Sequence, residues 1–149
     1  MTACRALGFV SKHIAGSNEP DGIARLTDNR AGEVTMTLEA KSSKNVPSLN
    51  AIDFASLARH RDAHGASACL LVAPSYPGST KGEDAAAAGM AATQRISCWT
   101  VAQLSDVTEQ AERRHISARD VYELCTRAFA PDDVAKAVQE LLSSPDWDQ

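Results

Sequence analysis

The sequence predicts an α/β domain in which a mixed β-sheet is flanked by helices and followed by a C-terminal helical part. Three observations support this class: alternating polarity at residues 33–41, a continuous apolar run at residues 66–73, and helical spacing through the last third. A length of 149 residues is sufficient for one domain with a substantial core. The apolar share of 44% and the charged share of 23% exclude a disordered or collagen-like chain.

The first half of the chain predicts two strands joined by a turn. Residues 22–28 (GIARLTD) and 33–41 (EVTMTLEAK) have the composition of strands, and the DNRAG segment between them is typical of a turn. Polar and apolar side chains alternate along the whole second strand, which indicates one buried face. The polar face carries Glu33, Thr35, Thr37, Glu39 and Lys41, and the apolar face carries Val34, Met36, Leu38 and Ala40.

Helices and strands alternate through the rest of the chain. Gly65 is placed to end the helix that precedes the apolar run, and this run predicts a central strand buried on both faces. Ser117 and Asp132 are N-cap candidates for the last two helices. The expected elements are a helix at 48–63, a strand at 66–73, a helix at 84–94, a strand at 96–99, and helices at 100–114, 117–128 and 131–142.

Composition also excludes several classes of protein. A net charge of −4, from 15 basic and 19 acidic residues, argues against a surface that binds polyanions as a whole but not against a small basic patch. No apolar run approaches the ~20 residues of a membrane-spanning helix. No secretory signal is visible, so a cytoplasmic location without membrane attachment is expected. The four cysteines lie far apart, which is typical of buried, reduced thiols.

Candidate catalytic residues lie where the hairpin of these two strands opens. Glu39 and Lys41 project from one face of the second strand, and Ala40 points inward. One even register sets Asp21 opposite Glu39, and another sets it opposite Lys41. An odd register sends Asp21 to the other face, so the site depends on the register, and we expect an even one.

These residue types suit a divalent metal. Two carboxylates held close together repel each other, and a hard cation such as Mg²⁺ removes that conflict. We therefore expect Asp21 and Glu39 to bind the metal, with the backbone carbonyl of Ala40 as a further ligand. Lys41 would position or help to deprotonate an attacking water and offset negative charge in the transition state. The alternative is that these are solvated charges on an exposed sheet face.

The same residues carry a resemblance to a known family. PDG at residues 20–22, followed by EAK at residues 39–41, resembles the PD-(D/E)xK nuclease superfamily, most closely the cleavage domains of FokI-like type IIS restriction endonucleases. The similarity begins at residues 7–9 and extends to the strand and helix at residues 96–104, so it covers most of the chain. Glu39 stands where the FokI-like pattern has Asp, and the superfamily accepts both residues.

This resemblance implies a magnesium-dependent endodeoxyribonuclease with a restriction-endonuclease-like core. Asp21 and Glu39 would hold Mg²⁺, for which Mn²⁺ would substitute, and Lys41 would be the catalytic lysine. The enzyme would cut double-stranded DNA without sequence preference, as a transient homodimer. Residues 1–149 would form one cleavage domain of a longer chain that has a separate DNA-recognition domain. The helix after the EAK motif, which carries part of the family's dimer interface, offers Asp53, Arg59, His60, Arg61 and Asp62.

Other interpretations of the charged residues stay open. Lys12, His13 and Lys44 are candidates for DNA phosphate contacts, which position DNA without reading bases. A repair or junction-cleaving nuclease of the same superfamily and a degenerate, non-catalytic DNA-binding or dimerisation module are the rival functions. His60 and His64 have the i, i+4 spacing of a zinc-binding pair, but no third ligand with suitable spacing accompanies them, so a solvated helix end is expected.

Overall fold

Five strands form one sheet in the order β1-β2-β3-β4-β5, with helices packed on both of its faces. The computed structural model describes residues 4, 7–14, 16, 19–28, 32–41, 52–77 and 82–143. The strands are β1 (Val10–His13), β2 (Gly22–Asp28), β3 (Gly32–Ala40), β4 (Ala68–Ala73) and β5 (Ile96–Thr100). The described helices are α1 (Phe54–Ala63), α2 (Gly82–Gln94), α3 (Val101–Gln110), α4 (Ala118–Arg127) and α5 (Pro131–Ser143). This arrangement confirms the predicted fold class.

The sheet changes direction at β3. β1, β2 and β3 pair antiparallel, whereas β3, β4 and β5 pair parallel, with α1 and α2 in the two crossovers. In the β2–β3 hairpin, Gly22 pairs with Leu38 and Ala24 pairs with Met36. This is an even register, as expected, and it aligns the apolar faces of the two strands.

Each face of the sheet is covered by its own helical layer. α1 and α2 pack on one face, and α3, α4 and α5 cover the other face around the fully buried Trp99. Alternate residues of β4 contribute to opposite cores. Cys69 and Leu71 join the α1–α2 core, while Ala68 and Leu70 join the other. The apolar run is thus buried on both faces, as predicted.

Local sequence signals explain several helix ends. Ser117 caps α4 as predicted, since its hydroxyl accepts a hydrogen bond from the backbone N–H of Asp120. α1 ends just before Gly65, whose φ of 65° lies in the left-handed region that favours glycine. The prediction of Asp132 as an N-cap is wrong because α5 already begins at Pro131. Proline suits that first position, where its missing N–H would have no helical partner.

Two further features differ from the predictions. Residues 10–13 form the edge strand β1, which was not predicted. The expectation of a single buried face for β3 is wrong near its C-terminal end, where Thr37 is fully buried and Glu39 is only 8% exposed. The cause is α1, which packs across the polar face. Residues 48–51 of the predicted first helix lie outside the described residues.

The cysteines agree with the expectation drawn from their spacing. All four cysteines are buried and none forms a disulfide, as predicted. Burial raises the pKa of the Cys69 and Cys125 thiols to about 12. Across the described ranges, no helix has both the length and the apolar character that a membrane crossing requires.

Candidate active site

The two predicted carboxylates meet at the open end of the β2–β3 hairpin. Asp21 immediately precedes β2, and the register that pairs Gly22 with Leu38 sets it opposite Glu39. Oδ2 of Asp21 accepts a hydrogen bond from the backbone N–H of Ala40, with an N–O distance of 2.7 Å. This bond extends the attachment of the two strands beyond their last paired residues. The Asp21 side chain is therefore held against the strand that carries Glu39.

Glu39 is a buried carboxylate under the influence of three other charged or polar groups. Its side chain is 9% exposed, and its Oε1 lies 2.8 Å from Nδ1 of His60 on α1. Burial raises the pKa of Glu39 above its ordinary value, and the negative charge of Asp21 raises it further. The hydrogen bond and charge of His60 lower this pKa, as does the charge of Lys41. Burial dominates, so the fold disfavours the ionised form.

A cavity of about 430 Å³ lies beside these carboxylates. Its volume is in the range that is typical of ligand pockets. His13, Asp21 and Glu39 are among the residues that line it. The rest of its wall is apolar and consists of Cys4, Gly22, Leu38, Ala40, Leu70, Val72 and Leu104. Asp21, Glu39 and Ala40 therefore all border the same cavity.

The basic residues singled out in the sequence do not all reach this cavity. Lys41 is exposed just beyond β3, and its backbone N–H donates to the carbonyl of Val72 at 2.9 Å. His13 ends β1 and lines the cavity. Lys12 is exposed on the same strand and is not part of the cavity wall. Lys44 lies outside the described residues.

The carboxylate pair fits a hard divalent cation. Hydrogen bonds occupy Oδ2 of Asp21 and Oε1 of Glu39, and within the described ranges the other oxygen of each group accepts none. A cation between them would offset the desolvation and the repulsion that raise the pKa of Glu39. No cluster of three or more His, Cys, Asp and Glu side chains suited to a metal occurs among the described residues. A metal at this place would therefore depend on the two carboxylates, a number that Mg²⁺ commonly uses together with water and phosphate oxygens.

Sequence reasoning did not predict the contacts that two histidines of α1 make with the segments carrying these carboxylates. His60 contacts Glu39, and one turn later Nε2 of His64 lies 2.6 Å from Oε2 of Glu19, two residues before Asp21. The expectation of a solvated helix end is therefore wrong. The i, i+4 spacing indicated that both rings share one helix face, but it contained no information about the carboxylates opposite that face.

Much of the predicted dimer surface on α1 is engaged inside the fold. Besides His60, Asp53 caps the helix by accepting the Ser56 N–H at 3.0 Å. Arg61 is buried and donates to two backbone carbonyls at the junction of α2 and β5. Arg59 and Asp62, one helical turn apart, are the two residues of the predicted dimer surface that are exposed on α1.

Comparisons with known proteins support the fold. No protein-family model matches the sequence, and no curated protein matches it. The structure is similar to the solved structure of the restriction endonuclease FokI, with a TM-score of 0.57 and 13% sequence identity. The match covers 80% of this chain but only 24% of the FokI chain. The protein thus has a restriction-endonuclease-like α/β fold, similar to about a quarter of FokI.

Proposed function

We propose that this domain is a divalent-metal-dependent endonuclease that hydrolyses phosphodiester bonds in double-stranded DNA. The observation that carries the proposal is the pair formed by Asp21 and the buried Glu39 at one cavity, with Lys41 close enough for its charge to lower the pKa of Glu39. The similarity of the fold to a restriction endonuclease supports DNA as the substrate. A carboxylate pair with a neighbouring lysine is suited to phosphodiester hydrolysis.

Each residue has a separate role in this mechanism. Asp21 and Glu39 would hold Mg²⁺, or Mn²⁺ in its place, through Oδ1 and Oε2 respectively, with the carbonyl of Ala40 as a further ligand. When bound, the metal supplies Lewis-acid chemistry, which polarises the phosphate and makes a water molecule more acidic. Lys41, in its charged form, orients the attacking water and stabilises the negative charge of the transition state, while the proton of that water passes to solvent. The hydrogen bond from the Ala40 N–H orients the Asp21 carboxylate.

DNA binding in this proposal rests on few basic side chains and is weak. His13 at the cavity, with Lys12 and Lys44, contacts phosphates and reads no bases. A domain with a net charge of −4 depends on a separate recognition domain in a longer protein to bring it to DNA. One site cuts one strand, so cleavage of both strands requires a transient homodimer, for which α1 offers the exposed Arg59 and Asp62.

Nicking of supercoiled plasmid tests the proposal. We expect nicking with Mg²⁺ or Mn²⁺, none with EDTA, and strong loss of activity in Asp21→Asn, Glu39→Gln and Lys41→Ala. Glu33→Gln is the matched control, because Glu33 lies on the same face of β3 but at its exposed far end. Equal nicking by wild type and the three site variants would disprove the assignment of these residues.

The choice of substrate separates the proposal from its rivals. Cleavage of linear duplex at least as fast as that of branched DNA supports the proposed function. A clear preference for junctions would assign the domain to DNA repair instead. Salt-sensitive DNA binding with no cleavage under any metal condition would indicate a non-catalytic module.

A further inference from the structure

Helix α1 presents two histidines to carboxylates on either side of the proposed metal site. Nδ1 of His60 lies 2.8 Å from Oε1 of Glu39, and Nε2 of His64 lies 2.6 Å from Oε2 of Glu19. The two imidazole side chains are 15% and 26% exposed. An ionised carboxylate only accepts hydrogen bonds, and Glu39 must be ionised to bind a metal. In this form of the site His60 donates from Nδ1 to Glu39, and an ionised Glu19 accepts from Nε2 of His64.

These contacts reach the two chain segments that carry the carboxylate pair. Glu39 lies on β3, just beyond the last residue that pairs with β2. Glu19 lies two residues before Asp21, and the Pro20 between them is fully buried. One helix is thus hydrogen-bonded to the end of one strand and to the segment that leads into the other.

We propose that His60 and His64 are positioning residues that set the placement of Glu39 and Asp21 for metal binding. The inference rests on the proposed function and names the side chains that prepare its metal site. Because His60 engages Oε1, it restricts rotation of the Glu39 carboxylate and leaves Oε2 for the cation. His64 acts less directly, since it holds Glu19 and through the chain the position of Asp21.

The helix itself does not need these histidines to hold its place. Phe54 and Leu57 bury its apolar side in the α1–α2 core. The buried Arg61 ties the helix to backbone carbonyls of Gln94 and Arg95. What the histidine hydrogen bonds add is the orientation of carboxylates. Mutation of a residue that hydrogen-bonds to a metal ligand commonly lowers metal affinity by about 10-fold to 100-fold.

Amide substitutions distinguish the two ring nitrogens. The side-chain NH₂ of Asn lies near the position of Nδ1, and that of Gln lies near the position of Nε2. His60→Asn and His64→Gln therefore retain the donor, whereas His60→Gln and His64→Asn misplace it. At each position the two amides carry the same functional group and differ by one methylene, so the amide that misplaces the donor is the control for the amide that retains it.

The readout is Mn²⁺ affinity of the whole chain without DNA, measured by the electron paramagnetic resonance of free Mn²⁺. We expect His60→Ala and His60→Gln to weaken Mn²⁺ binding about 10-fold or more, and His60→Asn to stay near wild type. At His64 we expect a smaller loss with Ala or Asn and recovery with Gln. Ala63→Gln, on the exposed surface of α1, should leave the affinity unchanged.

The outcomes separate this inference from the function on which it rests. If wild type binds no Mn²⁺, the proposed metal site and the inference both fail. If wild type binds Mn²⁺, Glu39→Gln does not, and the His60 variants all bind like wild type, the inference alone is wrong. Equal losses in His60→Asn and His60→Gln would also overturn it, because a positioning donor must be rescued by the amide at the right place. This last comparison decides even if His60→Ala fails to fold.

Discussion

Replacing Glu39 by Gln should stabilise the fold without metal while it abolishes cleavage. The Glu39 side chain is 9% exposed, and burial raises its pKa in spite of the hydrogen bond with His60. Gln has nearly the same shape, and its carbonyl oxygen still accepts a hydrogen bond from His60. The substitution removes the free-energy cost of keeping a negative charge buried near Asp21.

Two opposed contributions set the size of this effect. Burying an ionised carboxylate costs several kcal/mol after relaxation of the surroundings. The charge-assisted hydrogen bond from His60 offsets about 1.5–3 kcal/mol of this desolvation cost. Because burial dominates, the Gln variant should gain on the order of 1 kcal/mol at neutral pH, or about 2–4 °C in Tm. Mg²⁺ should reverse the order, since a ligand at 100 times its Kd stabilises wild type by about 2.7 kcal/mol.

Thermal unfolding across a pH series, with EDTA and with Mg²⁺, measures both effects. The pKa of Glu39 in the folded state lies above the ordinary value of 4.5, which applies to the unfolded state. As the pH falls, the native state therefore takes up a proton at Glu39 before the unfolded state does. Wild type should therefore gain stability relative to the Gln variant on acidification, and the difference should be largest at neutral pH. A Gln variant less stable than wild type at neutral pH in EDTA would refute the argument that burial dominates.

Three further predictions concern the fold. Arg61→Ala should lower the free energy of unfolding, measured in urea, by about 2–4 kcal/mol, because it removes the donor to two backbone carbonyls. The control Arg59→Ala, at an exposed position, should change it by less than about 0.5 kcal/mol. Similar losses in both would contradict the role of Arg61. Gly65→Ala should destabilise the fold by about 1–2 kcal/mol, because the φ of 65° at this position is unfavourable for alanine. Gly89→Ala should stabilise the fold by about 0.5–1 kcal/mol, because Gly89 lies in helix α2 and a Cβ there meets nothing within 4 Å. The same sign for both would contradict this reasoning. A thiol reagent should label the four buried cysteines slowly in the native protein and quickly in urea, and rapid native labelling would show that their burial is wrong.

The alternation in β3 was the most informative part of the sequence. It predicted the strand, its apolar face and an even register, and the register brought Asp21 opposite Glu39. The same alternation suggested an open polar face, which is wrong because the hydroxyl of Thr37 and the carboxylate of Glu39 are covered by α1. Polar side chains on a strand indicate polar surroundings, and in β3 a helix supplies part of them in place of water.

Other features could not be predicted from local patterns. β1 is a four-residue edge strand in which only Ser11 is buried, so it carries no alternation of apolar and polar side chains. The contacts of His60 and His64 depend on where α1 crosses the sheet, and the sequence of the helix does not encode that path. Asp21 and Glu39 could be predicted to meet because both belong to one hairpin, whereas the helix joins them from a distant segment. The catalytic roles of these residues stay predictions until the nicking assay is done.

The hydrogen bond between Asp21 and the Ala40 N–H has a consequence for the order in which the protein folds. It closes a hairpin that is local in the chain, whereas the pairing of β3 with β4 must wait for the α1 crossover. We therefore expect the two acidic side chains to come together while they still face water, before the helix shields Glu39. If they bind Mg²⁺ as proposed, the cation can assist this early hairpin, and refolding should be faster with Mg²⁺ than with EDTA. The metal would then act on the folding pathway as well as on the finished site.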